Sequence, residues 1–108
     1  MVDNQTRLDA VFGSLADPTR RDILRRISRR PLSVGEIARS YDLTLQAISK
    51  HLRVLERAKL VRKKRRGREF LVALSPAALK EADTYLEKYR ELWEERLDRL
   101  EEFLKDNP

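Results

Sequence analysis

From Ala77 to Asn107 the chain contains neither proline nor glycine, and Ser75-Pro76 stands directly before that run. Proline breaks helix interiors and glycine weakens them by about 1 kcal/mol, while Ser before Pro suits a helix start, with the hydroxyl capping and Pro at the first helical position. Leu79, Ala82, Leu86, Tyr89, Trp93, Leu97, Leu100 and Leu104 recur at spacings of three or four, and Tyr85, Leu92 and Phe103 widen the stripe. The spacing predicts one helix of about 27 to 29 residues, roughly 40 Å long at about 1.5 Å per residue. A chain of 108 residues has one modest core and cannot cover such a stripe by itself. A second subunit is the expected cover, the competing arrangement being that the helix lies across the chain's own first helix. Pairs such as Glu95 with Arg99 and Glu101 with Lys105 fall at i and i+4 and lace the outer side.

Charge is distributed unevenly. Of the net +6, residues 1–16 contribute −1, residues 17–68 contribute +12 (17 cations, five anions) and residues 69–108 contribute −5 (six cations, eleven anions). A basic middle beside an acidic end predicts one surface for a polyanion and another kept away from it. An anionic membrane would need an apolar insertion face that this segment lacks, so nucleic acid is the expected partner. There is no cysteine, which excludes disulfides, thiolate metal sites and Cys nucleophiles. One His, three Gly and no Cys cannot assemble a Ser-His-carboxylate set, a Gly-rich phosphate loop or a metal constellation, so an enzyme is not expected. No apolar run approaches the roughly 20 residues of a membrane span and Met1 to Arg7 lacks a signal-peptide core, so a cytoplasmic protein without membrane contact is expected.

Leu8, Val11, Phe12 and Leu15 form the stripe of a first helix ending near Ala16. Asp17-Pro18 opens a second helix, as a cap followed by Pro at its first position; Ile23, Leu24 and Ile27 form its buried side and Pro31 ends the run. Arg20, Arg21, Arg25, Arg26, Arg29 and Arg30 surround that side, open to either a solubilising or a phosphate-contacting role. Ser33-Val34-Gly35-Glu36 is a capping box that starts a short third helix at Val34, with Ile37 and Ala38 inward. Ser40 to Leu43 makes a turn, and Thr44 caps a fourth helix.

At 100° per residue, Leu45, Ile48, Leu52 and Leu55 share the packing side of that fourth helix, while Gln46, Ser49, Lys50, Arg53 and Arg57 gather opposite. An amide, a hydroxyl and three cations without a carboxylate among them are the groups that hydrogen-bond base edges and phosphates in a major groove. Two short helices joined by a brief turn, the second carrying that face, form a helix-turn-helix. After Leu60 the period changes. Phe70, Val72 and Leu74 alternate, and Leu60 to Lys64 can pair with them in a hairpin turning at Gly67, whose tip, Lys63 to Arg68, carries five cations.

This order of elements resembles the ArsR/SmtB family of winged-helix transcriptional repressors over nearly the whole chain. The residues that carry the resemblance are Leu15-Ala16-Asp17-Pro18-Thr19-Arg20, Ala47-Ile48-Ser49-Lys50-His51-Leu52, and Leu60-Val61 with Arg66-Gly67-Arg68. Tyr89 to Leu97 is similar to the metal-free branch with an extended dimerising terminal helix. The resemblance implies a mostly α fold with a small β-hairpin, in the order α-α-α-α-β-β-α, as one domain over residues 1–108. The helix-turn-helix and wing would lie in 17–74 and dimerisation helices in 1–16 and 76–104. It implies a homodimeric repressor on double-stranded DNA with an inverted-repeat operator. DNA contacts are expected from Thr44, Gln46, Ala47, Ser49, Lys50, His51, Arg53 and Arg57 in helix 45–57, and from Lys64, Arg65, Arg66 and Arg68 in wing 61–72. Leu8, Phe12, Leu86, Tyr89, Trp93, Leu97 and Leu100 are expected at the dimer interface.

In one respect the chain departs from metal-sensing members: it has neither paired cysteines near the recognition helix nor a His and carboxylate set on the terminal helix. No cofactor or metal is therefore expected, and the small-molecule inducer is unknown. His51, the sole imidazole, is expected by resemblance to meet phosphate or the helix's own surroundings. Two other readings fit the basic middle: an architectural protein binding DNA without sequence preference, against which Gln46 and Ser49 weigh, and a winged-helix module that binds protein.

Overall fold

In the computed structural model, which describes residues 4–107, five helices and three short strands follow one another. They are α1 (Asn4–Leu15), α2 (Pro18–Ile27), β1 (Leu32–Ser33), α3 (Val34–Arg39), α4 (Leu45–Arg57), β2 (Val61–Arg66), β3 (Glu69–Leu74) and α5 (Pro76–Asp106).

Local chemistry accounts for most of the boundaries. Asp17, in extended backbone, accepts the Arg20 N–H at 3.0 Å ahead of Pro18. Ser33 and Glu36 complete the capping box, with Ser33 Oγ accepting from Glu36 N at 3.0 Å and Glu36 Oε1 from Ser33 N at 3.1 Å. Thr44 Oγ1 accepts the Ala47 N–H at 3.1 Å and starts α4. That helix ends with Lys59 in left-handed backbone (φ 62°), Lys59 N bonding Glu56 O and Leu60 N bonding Leu55 O, each at 3.0 Å. This is the paired 5→2 and 6→1 closure that reverses a chain at a helix end, and it sends Leu60 and Val61 straight into the core.

The core is one cluster. Ile23, Ile37, Ile48, Leu52, Leu55, Leu60 and Val72 are its fully buried large side chains, drawn from α2, α3, α4, the β2 entry and β3. It fixes α4 against α2 and α3 by one side only and leaves the opposite side free.

Several sequence expectations need correction. The sheet has three antiparallel strands in the order β1-β3-β2, because Leu32 and Ser33 pair with Val72 and Leu71. Two residues are too few to show a periodicity, and Ser33 is also the cap of α3. The observed order is thus α-α-β-α-α-β-β-α. The hairpin runs from Val61↔Leu74 to Arg66↔Glu69, so Lys63 to Arg66 are strand residues, and Gly67 turns the chain at φ 62°. Ser75 makes no side-chain cap; its own N–H is bonded to Leu60 O at 2.9 Å, which ties the end of β3 to the end of α4. Helix α5 runs to 31 residues, beyond the expected length, and α2 stops at Ile27, short of Pro31.

Leu45 is corrected as well. It is 57% exposed, not part of the packing side. Helical side chains lean toward the N-terminus, so one at the first position leans past the helix end, where no preceding turn exists to pack on.

Helix α5 leaves the body early. Only Ala78 and Ala82 of its residues are buried, and the molecule is 66 Å in its longest dimension against 35 and 22 Å in the others.

Candidate nucleic-acid interface

The face of α4 opposite the core is built from Gln46, Lys50, Arg53 and Arg57, all exposed, with Ser49 and Ala47 half-buried at its margins. Among the described residues, none of those four exposed side chains has a hydrogen-bond or ion-pair partner. Thr44 is exposed at the start of the helix, where its hydroxyl is committed to the cap.

The wing adds a second set of cations. Lys64, Arg65, Arg66 and Arg68 are all exposed around Gly67. Side chains alternate along a strand, so Lys64 and Arg66 share one side of β2 with Arg62. Arg65 lies on the other side, its guanidinium 5.9 Å from the Phe70 ring centre and its Nε donating to Gly67 O at 3.2 Å.

On α2 the arginines are largely committed within the molecule, and they were the residues whose role the sequence left open. Asp22 pairs with Arg25 and, at 3.0 Å, with Arg26, while the Tyr41 hydroxyl donates to the same carboxylate. The Tyr41 hydrogen bond and then the two guanidiniums hold the Asp22 carboxyl well below the usual carboxylate range. Burial, and after it the hydrogen bond to Asp22, pushes the Tyr41 phenol up to about 12. Arg26 also lies over the Tyr41 ring at 5.3 Å. Arg30 reaches Glu36 at 3.0 Å, and the Ser33 N–H followed by Arg30 lowers the Glu36 carboxyl.

Arg20 and Arg21 have a different task. The carbonyls at the end of α1 lack helical partners, and these two residues supply donors: Arg20 to Ser14 O at 2.8 Å and Gly13 O at 3.0 Å, Arg21 to Leu15 O at 2.7 Å. The third arm of Arg20 lies 3.3 Å from His51 Nδ1. Arginine has no acceptor, so Nδ1 accepts in this contact. Asp17 is 3.9 Å from the same nitrogen, and the Arg20 N–H holds the Asp17 carboxyl below its ordinary value. Buried Ser14 donates to Ala10 O at 2.7 Å. His51, half-buried, thus belongs to a latch joining α1, α2 and α4, apart from the open face. Sequence reasoning found its residues separately; the run Asp17-Pro18-Thr19-Arg20 was the available sign that they act together.

The expected dimer residues gather along α1 and α5. Leu8 is half-buried, and Phe12 meets Tyr85 in a tilted contact with ring centres 6.4 Å apart, as Tyr85 meets Tyr89 at 4.9 Å. Beyond that contact Leu86, Tyr89, Trp93, Leu97 and Leu100 are exposed, Trp93 by 56%, and Phe12, Leu86, Tyr89 and Trp93 line an open hollow of about 690 Å³.

A helix-turn-helix domain model matches residues 15–64, from the end of α1 to the middle of β2. The HTH-type transcriptional regulator Rv2034 of Mycobacterium tuberculosis is 38% identical over 81 residues, covering 75% of this chain and 76% of that protein. The crystal structure of the ArsR family transcriptional regulator RHA00566 superposes with a TM-score of 0.79 at 35% identity, over 87% of this chain and 97% of that one. The chain belongs to the ArsR/SmtB family. It is a winged helix-turn-helix, DNA-binding transcriptional regulator, with α3 and α4 as the helix-turn-helix and the β2–β3 hairpin as the wing. Another relative, the transcriptional repressor SdpR of Bacillus subtilis, is 28% identical over 79 residues, 73% of this chain and 88% of that protein. The relatives are regulators and not enzymes. Among the described residues no helix is long and apolar enough to cross a membrane, and no group of three or more His, Asp or Glu side chains could hold a metal ion.

Proposed function

We propose that this ArsR/SmtB-family regulator is a cytoplasmic homodimeric repressor that binds an inverted-repeat operator, α4 of each subunit entering the major groove and each wing lying on the flanking backbone. The observation that carries the reading is the contrast between two sets of cations. Arg20, Arg21, Arg25, Arg26 and Arg30 are engaged inside the molecule, whereas Lys50, Arg53, Arg57, Lys64, Arg66 and Arg68 have no partner among the described residues. Unpaired cations on a helix face and a wing fit phosphates, and Gln46 with Ser49 adds groups able to read base edges. The similarity to the repressor SdpR supports repression as the outcome of binding.

Residues 1–16 and 76–104 are the dimerisation segments in this reading, with Leu8, Phe12, Leu86, Tyr89, Trp93, Leu97 and Leu100 in the contact. A stripe with Trp93 more than half exposed is larger than the isolated apolar side chains of ordinary surfaces. Because no cysteine is present and His51 is engaged by Arg20, control belongs to the metal-independent branch. Two-fold symmetry sets the two copies of α4 about 34 Å apart, one helical turn of DNA.

Selection from a random duplex pool tests the operator. An inverted repeat with half-sites about one turn apart is expected; recovery of unrelated sequences would establish the nonspecific, architectural alternative. Sedimentation equilibrium tests the dimer. The wild type is expected to be dimeric at micromolar concentration and Trp93→Glu/Leu97→Glu monomeric with loss of tight DNA binding; a monomeric wild type that still binds tightly would refute it.

A further inference from the structure

Two leucines are exposed at the start of α4, Leu43 before the cap by 43% and Leu45 after it by 57%, and of the two only Leu45 is on the helix, beside its polar face. Leu45 is the first residue of α4 and follows the cap Thr44. It is 57% exposed, while Ile48, Leu52 and Leu55 of the same helix are fully buried. Its place in the first turn keeps it out of the monomer's core, and a leucine left in water forgoes the gain of burial. At 100° per residue it lies about 40° around the helix from Ser49, and Gln46 is its neighbour in sequence. The groups around it are an amide, a hydroxyl and unpaired cations, without a carboxylate on that face.

In a helix-turn-helix the N-terminal residues of the second helix meet the base edges. The major groove presents a single apolar group, the C5-methyl of thymine, and an aliphatic side chain is its complement. A cationic surround draws the helix onto DNA and an exposed leucine at its leading end meets whatever apolar group the groove offers. We infer that Leu45 is a specificity-determining residue that packs on the C5-methyl of one thymine in each half-site, beside the base pair read by Gln46. The inference rests on the reading of α4 as the groove-entering helix and adds the identity of one base and the atom by which it is recognised.

The test uses the full chain and the duplex selected from the random pool. Each thymine of one half-site is replaced in turn by deoxyuridine, which removes the methyl group and keeps every hydrogen-bonding atom. For the wild type, one replacement is expected to weaken binding about fourfold, the equivalent of the ~0.8 kcal/mol that burying one methyl-sized group contributes. In Leu45→Ala the thymine and uracil duplexes should bind equally at that position, while Gln46→Ala keeps the fourfold ratio. Leu45→Ala alters an exposed position, and its unfolding midpoint should equal that of the wild type. The inference is overturned if no thymine in the half-site responds to loss of its methyl, or if the response survives in Leu45→Ala. It is overturned too if Leu45→Ala changes the sedimentation of the free protein, which would make Leu45 a subunit contact. A pool that yields no preferred sequence would instead refute the reading of α4 as a base reader, and this inference with it.

Discussion

Replacing Arg20 by Ala removes a guanidinium whose three nitrogens are all engaged inside the molecule. Three contacts disappear together: the donors to Ser14 O at 2.8 Å and Gly13 O at 3.0 Å, and the 3.3 Å contact to His51 Nδ1. A hydrogen bond from a charged donor contributes about 1.5–3 kcal/mol when buried. These contacts are half-buried or at the surface, which leaves water to replace part of each. The two carbonyl contacts then contribute about 1 kcal/mol apiece and the longer imidazole contact less, so Arg20→Ala should lower stability by about 2–3 kcal/mol. For a domain of this size that is a fall in Tm of about 10–20 °C. Urea unfolding at one fixed protein concentration measures it, the midpoint shifting with an unchanged slope. Arg20→Lys keeps the charge but not the planar fork, and it should recover less than half of the loss. A loss under about 0.5 kcal/mol in Arg20→Ala, or full recovery by Lys, would refute the latch, because surface charges without such geometry fall within that range.

Asp22 has its folded-state pKa depressed, so its stabilisation is fully present above its unfolded value of about 4 and is lost progressively as pH falls from there toward the lower folded value; Asp22→Asn should be less stable than wild type at pH 7, with a gap that narrows steadily as pH falls below about 4. Tyr41, pushed up to about 12, contributes at neutral pH and loses its contribution as pH rises above about 10; Tyr41→Phe should abolish that alkaline loss in pH-jump unfolding. Stoichiometric zinc, cadmium or arsenite should leave DNA affinity unchanged, and a saturable loss that disappears in His51→Gln would contradict the metal-independent reading.

Much of this architecture was legible because short-range chemistry decides it. Asp17-Pro18, the Ser33 and Glu36 pair, Thr44 and Gly67 each satisfy a local backbone requirement, and each stands where its sequence neighbours predict. The failures come from long-range partners. Leu32 and Ser33 become a strand only because Val72 and Leu71 arrive from elsewhere in the chain. Ser75 does not cap because its hydroxyl has no bond to the helix, while its N–H is taken by Leu60 O. Leu45 fits the apolar period of α4 by angle, and only its place at the very first turn keeps it out of the core. The arginines from Arg20 to Arg30 read alike in sequence; which of them join Asp22, Glu36 or the end of α1 depends on how the helices pack. The contact of His51 Nδ1 with Arg20 joins residues 31 apart in the chain, and their neighbours in sequence do not announce it.

The division between base-reading helix and phosphate-holding wing is most directly tested by binding of Gln46→Ala, Lys50→Ala and Arg66→Ala to operator and scrambled duplexes across a range of salt. Loss of a base contact should cost about 1–3 kcal/mol on the operator and relax preference at one position of each half-site. Arg66→Ala should weaken all sequences alike and reduce the slope of log affinity against log salt by about 0.9 for each phosphate no longer neutralised. The account is contradicted if Arg66→Ala changes sequence preference while Gln46→Ala and Lys50→Ala lower affinity uniformly and flatten the salt slope.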